Sequence, residues 1–165
     1  MIPIAVRGTE SMNTLQERFV ESRGAPVVVD GEEVVQMDRI RADRGTVRVT
    51  AKVACAGQGI ALKAPTGSIT LSDGRGVPLL HIWFDPGLPL IAAHDFDCRD
   101  GELRVWNISR TVHPNGVATE DAWTGNAGML IVQRQPLRRR YRCSPGTAVD
   151  FDPQLDVTVE VIEAR

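Results

Sequence analysis

Four Asp-Gly or Asn-Gly dipeptides punctuate the sequence: Asp30-Gly31, Asp73-Gly74, Asp100-Gly101 and Asn115-Gly116. Such pairs supply the two positive-φ residues of a tight hairpin turn, whose twist matches that of the strands it joins. Each is flanked by strand-like sequence, so the chain is expected to fold back on itself repeatedly. Val27 to Val29 and Glu33 to Met37 flank the first pair, Ser68 to Leu71 and Val77 to Phe84 the second, and Leu90 to Ala93 and Glu102 to Ser109 the third. The fourth lies between the end of that last strand and Val117.

Alternation supports the same reading. Val47, Val49, Ala51 and Val53 interleave with Thr46, Arg48, Thr50 and Lys52, and near the C-terminus Leu155, Val157, Val159 and Val161 interleave with Asp156, Thr158 and Glu160. A period of two places one set on the core and the other in solvent. Val77 to Phe84 and Met129 to Val132 are nearly continuous apolar runs, expected to be strands covered on both faces. Trp106 breaks the alternation after Leu103 and Val105, which predicts a bulge or burial on both sides. Only Ser11 to Ser22 carries a helical repeat, with Met12, Leu15, Phe19 and Val20 at spacings of three and four and with Ser11 or Asn13 as cap. The expected fold is therefore all-β: one antiparallel β-sandwich or jelly-roll-like barrel domain of about eight to eleven strands, with one short peripheral N-terminal helix.

Charge narrows the partners. Nineteen basic against 21 acidic residues leave a net charge of -2, so no global field draws the chain to nucleic acid or to a membrane. No apolar run reaches the roughly 20 residues of a bilayer-spanning helix, and no leader-like segment opens the sequence. Cys55, Cys98 and Cys143 are too few and too scattered for a disulfide framework. Together these features predict a cytoplasmic protein. Of the basic residues only Lys52 and Lys63 are lysines, the skew a GC-rich bacterial genome produces.

The common catalytic signatures are absent: no Walker loop, no G-x-G-x-x-G, no G-x-S-x-G, no H-E-x-x-H and no C-x-x-C. The sequence identifies no particular cofactor. His81, His94 and His113 are far apart in sequence and meet only if strands bring them together. Asp95, Asp97 and Asp100 form a short acidic run that suggests a hard-cation site, although Cys98 and Arg99 interrupt the spacing of familiar calcium loops. His94 and Cys98 share a strand face but stand roughly 13 Å apart along it, too far for an imidazole to activate a thiol.

Three further segments are candidates for binding. His81, Trp83 and Asp85 fall on one face of a strand end and present an imidazole, an indole and a carboxylate together. The segment from Thr119 to Gly128 sets Trp123 among small polar residues, where it either caps an open end of the fold or stacks on a flat ligand while Asp121 and Asn126 bond its hydroxyls. Arg134 to Arg142 holds five arginines. In a strand Arg138, Arg140 and Arg142 project on one face, as an anion site, a protected sheet edge or partners of Asp150 and Asp152. The expected function is a non-catalytic binding or assembly module that holds a carbohydrate-like or other small ligand, or a second subunit, through the segments around Trp83 and Trp123. The alternative is a small β-barrel enzyme in which His81 or His94 works with Asp85, Asp95 or Asp97 in acid-base or metal-assisted chemistry.

Overall fold

The computed structural model describes residues 13–145 and 155–164. In chain order, helix α1 (Leu15–Glu21) precedes β1 (Val27–Val29), β2 (Glu32–Val35), β3 (Asp38–Arg41), β4 (Arg44–Ala51), β5 (Gln58–Lys63), β6 (Ser68–Thr70) and β7 (Gly76–Val77). There follow β8 (Leu79–Trp83), β9 (Ile91–Asp97), β10 (Glu102–Val112), β11 (Ala118–Asp121), β12 (Gly128–Gln135), β13 (Arg138–Ser144) and β14 (Leu155–Glu163). Nine strands form one sheet in the order β1-β2-β12-β13-β14-β4-β9-β6-β7. The second, five-stranded sheet runs β11-β10-β5-β8, with β3 also paired to β10. Every pairing among the described strands is antiparallel. Among the described residues the fold is the expected β-sandwich with one short helix, and no helix there is long and apolar enough to cross a membrane.

The two sheets bury their alternating apolar faces against each other. Val47 and Val49 of β4 and Val157 and Val159 of β14 meet Ile60 and Leu62 of β5 and Leu103 and Val105 of β10 in one core. Val47, Val49, Val157 and Val159 are among the residues whose period of two predicted an inward face.

Local chemistry explains the departures from expectation. Helix α1 is shorter than the predicted Ser11 to Ser22 because Thr14 caps it: its backbone is extended and its hydroxyl accepts from Glu17 N at 3.2 Å. Ser11 and Met12 lie outside the described residues. The run from Val77 to Phe84 is divided at Pro78 into β7 and β8, and Leu79 and His81 face outward, so it is not covered on both faces.

Asp30-Gly31 alone of the four dipeptides places both residues at positive φ, 51° and 81°. Asp73-Gly74 and Asn115-Gly116 still turn hairpins with glycine alone at positive φ. Asp100-Gly101 does not close a hairpin: β9 lies in the nine-stranded sheet and β10 in the other, so this turn carries the chain between layers. Trp106 keeps unbroken register with β5 and is buried in a run from Val105 to Ile108, whereas the bulge falls in β12 between Ile131 and Gln133.

Candidate functional site

On the outward side of the five-stranded sheet the central strand β5 offers Gly59, Ala61 and, at its end, Lys63; Gly59 and Ala61 lie opposite Trp83 and His81 of β8 and opposite Ile108 and Trp106 of β10. Small residues on the middle strand leave room for large side chains from both neighbours to lie across it. A Cβ on Gly59 would stand 2.3 Å from Ile82 O and 3.0 Å from Trp83 Cε3. Ala61, Trp106 and Ile108 form a buried cluster of their own, with Met37, Trp83 and Ala122 packed against it. This second apolar body lies outside the inter-sheet core.

Trp123 completes it. Its ring lies 5.0 Å from that of Trp106, tilted by 43°, and its indole Nε1 donates to Gln36 O at 3.0 Å. Its φ of 62° is left-handed, a conformation bulky residues rarely adopt. All three tryptophans of the chain are thus associated with this one face, and Trp123 remains 37 % exposed.

A polar circuit borders the aromatic cluster. Asp85 Oδ2 accepts from Arg110 Nη2 at 2.7 Å, and its Oδ1 accepts from Gly57 N at 2.7 Å. The Arg110 guanidinium lies 4.5 Å above the Trp83 ring, a desolvating cation–π contact. Trp83 meets His81 edge to face at 6.4 Å, His81 Nδ1 lies 3.2 Å from Glu120 Oε2, and Glu120 is the cross-strand neighbour of Arg110. His81, Trp83 and Asp85 therefore do share one network, as their alternation predicts, but His81 takes Glu120 as its partner while Asp85 is held by Arg110. Arg110 and Glu120 are not apparent in the sequence because β10 runs to Val112, past its expected end at Ser109. A groove of about 340 Å³ has Ser109, Arg110, Thr111, Asp121 and Thr124 in its walls; Ser109 and Thr111, with Asp121 opposite Ser109, fall by alternation on the side of β10 turned away from Trp106 and Ile108.

The remaining candidates lie elsewhere. Asn126 serves the fold: its Oδ1 accepts from Leu15 N at 3.0 Å, tying the start of α1 to the segment after β11. His94 stands on β9 in the other sheet with Nδ1 3.0 Å from Thr70 O, and His113 at the β10–β11 turn is 3.0 Å from Thr119 Oγ1, so the three histidines do not converge. Asp95 accepts from Thr46 Oγ1 at 2.7 Å and Asp100 accepts from Glu102 N at 3.2 Å. Among the described residues no three His, Cys, Asp or Glu side chains come together as a metal site, so Asp95, Asp97 and Asp100 do not form the cation cage considered from their spacing. Burial, with Asp100 and Asp97 adding like charge, pushes the Cys98 thiol up to about 11 and keeps it protonated at neutral pH.

Arg138, Arg140 and Arg142 share the outward face of β13, as alternation predicts, but they lie beside carboxylates of β14. Arg140 makes two bonds to Asp156 at 2.9 and 2.7 Å, Arg142 Nε stands 3.8 Å from Asp156, and Arg138 Nε stands 4.0 Å from Glu160. Asp150 and Asp152, the partners considered from the sequence, lie outside the described residues. The hydrogen bond from Arg140, reinforced by the charges of Arg140, Arg142 and Lys52, holds the Asp156 carboxyl below the usual carboxylate range. Asp156→Asn keeps the shape and removes the charge. It is expected to move elution from a heparin column to higher salt than wild type, as two guanidiniums lose their counter-ion; unchanged elution would show that Asp156 does not mask the row. Comparison of the chain with protein-family models, with curated proteins and with solved structures finds no match.

Proposed function

We propose that this chain is a non-catalytic binding module whose recognition surface is the outward face of the five-stranded sheet, with a neutral, carbohydrate-like ligand as its occupant. One observation carries the reading: the three tryptophans gather on a side of the sheet that no further layer of the described residues covers, and Trp123 remains partly in solvent. An exposed indole stacks on the C–H face of a sugar ring, and the polar groups on the same face, the Arg110 guanidinium, the Glu120 carboxylate and the His81 imidazole, border the cluster where they can bond the ligand's own hydroxyls. Arg110 and Asp85 support this reading as a brace, since their ion pair fixes the Trp83 edge of the face. Three unpaired thiols suit a reducing compartment such as the cytoplasm.

A glycan-array screen followed by titration of the best hit, read by intrinsic fluorescence, tests the proposal. Wild type is expected to show a saturable change that Trp123→Ala weakens by at least about tenfold. That substitution also removes the stack on Trp106 and the bond to Gln36, a stability loss of about 1–3 kcal/mol that leaves the circular dichroism of a folded β protein. Equal affinity in the two chains, or no saturable binding by wild type, overturns the assignment.

A further inference from the structure

Where the chain passes from β2 in one sheet to β3 in the other, a second cavity of about 460 Å³ opens beside the end of α1. It shares no lining residue with the groove at Ser109 and Thr111. Arg23, Arg39 and Arg134 line it together with Gln36, Met37 and Asp38. Three arginines and one aspartate thus contribute to its lining. That carboxylate is already engaged, because Asp38 Oδ2 accepts from Arg139 Nη1 at 2.8 Å and from the Tyr141 hydroxyl at 2.6 Å. The cavity carries an excess of positive charge.

The three arginines differ in how they are held. Arg39 pairs with Glu102 and Arg134 with Glu33, but neither acid lines the cavity, and the two arginine side chains are 60 % and 47 % exposed. An exposed pair such as Arg134–Glu33 holds its members weakly, so the Arg134 guanidinium can turn toward an anion at small cost, whereas Arg39 is held more firmly because the Glu102 side chain is 25 % exposed and its Oε1 is buried. Arg23 has no ion-pair partner among the described residues. It is placed at the rim by the left-handed end of α1, where Arg23 and Gly24 have φ of 57° and 80° and Gly24 N donates to Phe19 O at 2.8 Å. A non-glycine residue adopts that conformation at a cost, and here it carries the unpaired charge.

We propose that this cavity binds a small organic anion of the phosphate-ester class. Planar guanidinium forks match the oxygens of a phosphate group, while Val35, Met37 and Pro26 supply apolar wall for the body attached to it. The site differs from the sugar-binding proposal in ligand chemistry and in the arginines it rests on, although Gln36 and Met37 adjoin both.

Isothermal titration of the full chain with phenyl phosphate and with inorganic phosphate, at low and at physiological salt, tests it. Saturable one-to-one binding of either probe is expected. Arg23→Gly is the decisive variant, because glycine relaxes the left-handed position while removing the charge: affinity should fall by at least about tenfold with the melting temperature unchanged or raised. Arg134→Gln is expected to weaken binding in the same direction, and Arg75→Ala, which removes a positive charge from the distant β6–β7 turn, should leave it unchanged. Absence of saturable heat with both probes overturns the proposal. So does equal affinity in wild type and Arg23→Gly, or a loss in Arg75→Ala as large as that in Arg23→Gly.

Discussion

Replacing Asp38 by alanine is expected to lower the free energy of unfolding by about 3–5 kcal/mol, which for a chain of this size is a fall in melting temperature of roughly 6–20 °C. Asp38 projects from β3 of one sheet into the space between the layers, where Arg139 and Tyr141 project from β13 of the other. Its Oδ1 also accepts from Arg39 N at 2.9 Å. Only 11 % of the Asp38 and of the Arg139 side chain is exposed, so removal of the carboxylate leaves a guanidinium in a region water scarcely reaches. The cost arises from that orphaned charge more than from the lost attraction, because a buried pair taken as a whole contributes little net stability. Tyr141→Phe provides the contrast. It removes one hydrogen bond and leaves the ion pair, at a cost of about 1–3 kcal/mol. Urea denaturation of the three chains measures both, and a loss below that of Tyr141→Phe in the aspartate variant would show that Arg139 finds water once its partner is gone.

The same cluster limits stability at high pH. Burial, with the Asp38 charge beside it, raises the Tyr141 hydroxyl well above its ordinary value. The stability tied to this proton is therefore complete below a pH of about 10, where the unfolded phenol titrates, and declines as the pH rises beyond it, since the unfolded chain releases a proton that the native phenol retains. Tyr141→Phe should flatten that part of the alkaline limb.

Much of the sandwich is legible in the sequence because a strand writes its two faces into every second residue. Leu137, Arg139 and Tyr141 separate from Arg138, Arg140 and Arg142 on parity alone, and the structure buries Tyr141 while turning the second set toward Asp156 and Glu160. Parity does not say which strand lies opposite. Nothing near Asp100-Gly101 shows that its flanking strands part into different sheets, and nothing near Asp38 names Tyr141 as a partner 103 residues away. Alternation correctly groups the histidine, tryptophan and carboxylate of β8 and its exit. It does not reach Arg110 and Glu120, since their place depends on β10 extending to pair with β11. Trp123 is legible as an unusual aromatic in a polar segment, but its contact with Trp106 depends on a left-handed backbone that sequence pattern does not reveal. Asn126 illustrates the opposite error, a residue suited to hydroxyl binding by type whose carboxamide the helix start already uses.

Trp106→Ala is expected to cost about 3–5 kcal/mol, as much as a deletion between the sheets, although the residue lies on the side turned away from that core. Trp106 is 6 % exposed because Trp123, Met37, Ala122 and the neighbouring Trp83 cover it, not because a second sheet does. Its loss opens a void above Ala61 and Gly59, neither of which has a side chain large enough to fill it. Trp123 then keeps only its bond to Gln36 O. The prediction therefore has two parts: a large loss by urea denaturation, and a loss of ligand binding in the variant that remains folded. A double-mutant cycle with Trp123→Ala should give a coupling of about 0.5–1.5 kcal/mol, the range for a tilted aromatic pair. If Trp106→Ala costs less than about 1 kcal/mol, the outer cluster is loosely packed and Trp123 has no rigid base from which to recognise a ring. A full loss with measurable coupling would mean that recognition rests on this packed layer, so that substitutions at Gly59 or Ala61, which touch no ligand, would also weaken it.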